Sequence, residues 1–75
     1  MDALALRQRI MKSLLREVTE PSYPSVTMLN RVEGALASKE DLADYVEVLV
    51  EKVESTRYPS TEMLNRVDRL IGRLD

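Results

Sequence analysis

A ten-residue stretch occurs twice in this chain at an offset of 35 residues, and no other feature narrows the fold as far. Tyr23-Pro24-Ser25-Val26-Thr27-Met28-Leu29-Asn30-Arg31-Val32 returns as Tyr58-Pro59-Ser60-Thr61-Glu62-Met63-Leu64-Asn65-Arg66-Val67, with eight of ten positions identical. The same offset extends upstream, where Leu14 and Val18 match Leu49 and Val53 without a gap. This is an internal duplication, in which each copy is one supersecondary unit. Two copies are too few for a solenoid, so the repeats have to close on a core of their own.

Each copy reads as a loop that ends by starting a helix. Proline fixes its own φ and biases the residue before it toward extended backbone, which places Tyr23 and Tyr58 outside the helices. The serine that follows is a favoured N-cap. Met28 stands where a capping box would need Glu or Gln, so that device is absent from the first copy. Glu62 puts a negative charge in the first turn of the second copy, where the helix dipole favours it. Met28, Leu29, Val32, Ala35 and Leu36 then share one side of a 3.6-residue wheel, as do Met63, Leu64, Val67, Leu70, Ile71 and Leu74. Asn30 and Asn65 point away from that stripe, and Arg31 and Arg66 lie on its flank.

The remaining helices follow from the same periodicity. The first spans about Ala3 to Thr19, with Leu6, Ile10, Leu14 and Val18 as its core line and Met11 and Leu15 widening it. Arg7, Arg9, Lys12 and Arg16 make it net basic, and Pro21 disfavours its continuation. The second helix runs from about Val26 to Ala37, with Gly34 marking a close contact or an early end. Ser38 caps the third, which reaches about Glu54 with Leu42, Val46, Leu49 and Val53 as its core line. It is strongly acidic, with six carboxylates against two lysines between Ser38 and Ser55. Tyr45 to Val50 is rich enough in β-branched residues to pass for a strand. It is assigned as helix because its repeat partner, Ile10 to Leu15, is plainly helical. Tyr45 and Val48 fall off the core line and give this helix apolar surface on a second side. The fourth helix spans about Thr61 to Leu74. The fold class is therefore all-α: a single domain over 1–75 made of two tandem αα-hairpins, repeats about 3–37 and 38–74, packed as a small bundle.

Composition removes several classes of function. Cysteine and histidine are both absent, which excludes a disulfide framework, thiol chemistry and a histidine base and suits a reducing cytoplasm. No apolar run is long enough to span a bilayer, and the start lacks the pattern of a signal peptide. A net charge of −2 gives no general pull toward nucleic acid or an acidic membrane. There is no Gly-rich phosphate loop. Glu40, Asp41, Asp44 and Glu47 follow one helix without calcium-loop spacing, as a solvated acidic face does. No enzyme activity, cofactor or metal is expected.

Arg66, Arg69 and Arg73 recur at i, i+3 and i+7 on the fourth helix. They are read as partners of the acidic third helix, across the bundle or in a dimer. Tyr23 and Tyr58 are expected to pack over the hairpin corners with their rings inward. The expectation is a small cytoplasmic interaction module: an adaptor, an inhibitor, an antitoxin-like neutraliser or a small subunit of an assembly. It would bind a protein partner, itself, or both through helix faces. The contact residues expected are Asn30, Arg31, Asn65, Arg66, Tyr45, Val48, Glu47, Glu51, Arg69 and Arg73, with Glu47 and Glu51 suited to a basic protein surface. If the duplicated pairs Asn30-Arg31 and Asn65-Arg66 are contact sites, they should meet the same kind of surface. The alternative, which is preferred, is that they are surface inherited with a folding element whose Tyr-Pro-Ser is corner and cap and whose Met-Leu-x-x-Val is core. A thin core adds the expectation of a homodimer or hetero-complex. The alternative is a nucleic-acid-binding module that uses the basic first and fourth helices.

Overall fold

Each helix begins where a short side chain can accept from an amide that the helix itself leaves without a partner. In the computed structural model, which describes residues 2–21 and 24–75, Asp2 starts α1 (Ala3–Thr19), its Oδ1 accepting from the Leu4 amide at 3.0 Å. Ser25 starts α2 (Val26–Ala35) by accepting from Met28 N at 3.1 Å. Ser38 starts α3 (Lys39–Ser55) by accepting from Asp41 N at 3.1 Å. Ser60 starts α4 (Thr61–Leu74) by accepting from Met63 N at 3.1 Å. The described residues are otherwise turns and extended connections, so the chain is all-α.

The ends are as local as the starts. α1 stops ahead of Pro21, with the Glu20 amide donating to the Arg16 carbonyl at 3.0 Å. At the end of α3 the Thr56 hydroxyl donates to the Lys52 carbonyl at 2.6 Å. α2 stops at Ala35, two residues short of the expected Ala37, because Leu36 turns to extended backbone. Gly34 has open space where a Cβ would stand, so it marks the early end and not a close contact. Tyr45 to Val50 lies wholly inside α3.

The chain divides into two compact units, residues 1–37 and 38–75. In the first, α1 packs on α2, and the buried apolar side chains are Met11, Val18, Leu29 and Val32. The expected core line of α1 is only half right. Val18 is buried and Leu14 half-buried, but Leu6 and Ile10 are exposed, Ile10 by 60 %. Length explains this: the ten residues of α2 cover about 15 Å, so a helix folding back along α1 runs out near residue 10. Met11 is the last position it reaches on the core side.

In the second unit α3 packs on α4, and the buried side chains are Leu42, Tyr45, Val46, Leu49, Arg66, Val67 and Leu70. Three expectations fail here. Tyr45 is fully buried instead of forming a second apolar surface, and Leu64 and Ile71 are each 42 % exposed instead of sitting on the core side. The repeat offers the reason. Leu70 stands where the first copy has Ala35, so the inward side of α4 runs through Arg66, Val67 and Leu70, with Met63 and Leu74 half-buried beside it. Leu64 and Ile71 are turned onto the flank, where both are exposed.

Candidate interaction faces

The outward side of α3 is a line of carboxylates. Glu40, Asp44, Glu47, Glu51 and Glu54 follow one another at steps of four, three, four and three residues, and all are exposed. At 100° per residue these steps keep them on one side of the helix. The side opposite carries the buried Leu42, Val46 and Leu49. Glu47 and Glu51, expected as partner contacts, are thus brought onto one solvent-facing line. Val48 is half-buried beside them. Among the described residues no group of carboxylates converges as a metal site.

The duplicated Asn-Arg pairs are not equivalent. Asn30, Arg31 and Asn65 are exposed, whereas Arg66 is only 5 % exposed. Its Nε donates to Glu62 Oε1 at 2.8 Å and its Nη2 donates to the same oxygen. A buried guanidinium is tolerated only when its charge is paired and its N–H groups are bonded. Glu four residues before Arg is the favourable order for such a pair on a helix. The first copy has Thr27 where Glu62 stands, so Arg31 has no counterpart of this pair. Arg66 and Tyr45 are buried side chains, not surface contacts, which corrects both expectations.

The basic stripe of α4 is reduced accordingly. Arg69 and Arg73 are exposed, but Arg66 has left the surface and Glu62 occupies the same flank of the helix. Arg66 pairs with Glu62 one turn earlier on α4. On α1, Arg9, Lys12 and Arg16 are exposed at i, i+3 and i+7. Tyr58 is 79 % exposed, its ring lying 5.6 Å from the Arg57 guanidinium carbon, so it does not turn inward over its corner. Tyr23 lies outside the described residues.

Sequence reasoning missed the buried Arg66. The available signal was Thr27 changing to Glu62 four residues ahead of an arginine that is otherwise repeated unchanged. The chain matches no protein-family model, curated protein or solved structure. Among the described residues no helix is long and apolar enough to cross a membrane.

Proposed function

We propose that this chain is a small non-enzymatic interaction module of the cytoplasm, which works by offering helix faces to a protein partner. The observation that carries this reading is the exposed carboxylate line of α3, which runs the length of a seventeen-residue helix. Aligned carboxylates on one helix repel each other, and a basic protein surface relieves that repulsion. Asn30 and Arg31 on α2, with Asn65, Arg69 and Arg73 on α4, are the further contact residues on exposed positions. Val48 supplies apolar area next to the carboxylates.

The reduced basic stripe of α4 argues for this reading over nucleic-acid binding. With Arg66 paired to Glu62, the stripe keeps two exposed arginines, Arg69 and Arg73, and one cation fewer to release counterions from a phosphate backbone. The test is a pull-down from the native cell read by mass spectrometry, with Glu47→Lys/Glu51→Lys as the paired variant. A protein retained by the natural chain and lost with the variant is the expected result. Tight, steeply salt-dependent retardation of random duplex in a mobility-shift assay would overturn it.

A further inference from the structure

The first helices of the two repeats carry opposite charge at the same repeat positions. Arg9, Lys12 and Arg16 on α1 correspond, 35 residues on, to Asp44, Glu47 and Glu51 on α3. All six side chains are exposed. Each trio lies on the side of its helix away from the buried line, which is Met11 and Val18 on α1 and Leu42, Val46 and Leu49 on α3. Glu40 and Glu54 lengthen the acidic line by a turn at each end.

We propose that these two faces bind each other between copies of the chain, the basic face of α1 in one copy docking on the acidic face of α3 in the next. The proposal rests on the interaction-module reading above and names the partner as a second copy. Spacing supports it: seven residues of helix rise about 10.5 Å, so both trios have the same length and the same internal steps. Three cations and three anions therefore come into register without distortion of either helix. A basic protein from elsewhere would cover α3 and leave the α1 face unanswered. A second copy of this chain supplies both faces at matched spacing.

Charge also limits the symmetry. A twofold dimer through α1 alone would bring cations against cations, and one through α3 alone would bring anions against anions. Both are repulsive, so α1 of one copy meets α3 of another, either reciprocally in a twofold dimer or head to tail in a ring or an open row. With a net charge of −2, repulsion between whole molecules is small. Exposed ion pairs are individually weak and are screened over a Debye length of about 8 Å at physiological salt. Assembly is accordingly concentration-dependent and sensitive to salt.

Sedimentation velocity on the 75-residue chain at low and high ionic strength tests this. Average mass should rise with concentration at low salt, and added salt should weaken the association roughly tenfold. R9E/K12E/R16E and D44K/E47K/E51K should each sediment as monomers with unchanged helical circular dichroism. A mixture of the two should associate, since one variant then carries two acidic faces and the other two basic ones. The six-fold variant, with both faces reversed, should recover self-association. A natural chain that stays monomeric at low salt and high concentration overturns the proposal, as does association indifferent to both reversals. In either case the interaction-module reading stands if a different protein is still retained through Glu47 and Glu51, so the two can fail separately.

Discussion

The two hairpins share a loop, a cap and the core letters Met-Leu-x-x-Val, yet they bury different members of the motif. In the first, Leu29 is enclosed and Arg31 lies at the surface; in the second, Leu64 is at the surface and Arg66 is enclosed. The first helices diverge in the same way, because Ile10 is exposed and its counterpart Tyr45 is buried. Three substitutions account for the divergence. Leu70 in place of Ala35 adds a large apolar side chain one turn after Val67 and draws that side of α4 inward. Tyr45 in place of Ile10 fills volume under the longer α4. Glu62 in place of Thr27 supplies the anion without which a buried arginine would be prohibitively costly. A duplicated motif thus keeps its local chemistry and changes its burial when a few residues around it change.

The largest expected contrast lies between Tyr45 and Ile10. Tyr45→Ala removes a fully buried aromatic ring and should cost about 3–5 kcal/mol. Ile10→Ala, at an exposed helical position, should stay within about 0.5 kcal/mol. Urea denaturation followed by circular dichroism measures both, and similar midpoints for the two variants would show that the hairpins are packed alike.

Leu29 and Leu64 sharpen the same point inside the repeated motif. Leu29→Ala should destabilise by about 2–5 kcal/mol as a buried large-to-small change, while Leu64→Ala should cost less than about 1 kcal/mol. Thermal melting of the two single variants separates them, since a loss of that size lowers Tm by several degrees in a domain this small. Equal losses would restore the symmetric core that periodicity alone suggests.

The smallest contrast concerns the charge pair. Glu62→Ala leaves Arg66 without the carboxylate that both its Nε and Nη2 address, and a loss of about 1–3 kcal/mol is expected. Thr27→Ala, in the corresponding turn of α2, should change stability by no more than about 0.5 kcal/mol. If Arg66→Met rescues the Glu62→Ala variant, desolvation of the guanidinium is the cause, because an apolar side chain of similar length needs no partner there.

The sequence by itself determined the four helices, their starts and all their ends but that of α2, which stops two residues short of the expected Ala37. Ser25, Ser38 and Ser60 cap as expected, α1 and α4 span the expected residues, and α3 runs one residue beyond Glu54. These features depend on hydrogen bonds between residues two to four positions apart, so they are written locally and survive duplication. The outward position of Glu47, Glu51, Asn30 and Arg31 was also legible, because polar side chains at helical spacing opposite an apolar stripe have only one inexpensive place to go. Which members of a broad apolar stripe become core was decided only by tertiary structure. Leu6 and Ile10 carry the same periodic signal as Val18, but burial requires a helix opposite, and α2 is too short to reach them. Arg66 and Leu64 are adjacent enough on the wheel to Val67 that either could turn inward, and the choice depends on Leu70 and Glu62, residues whose influence appears only once α4 lies against α3. Hydrogen-bonded ends are properties of a few neighbouring residues; burial is a property of what lies across the contact.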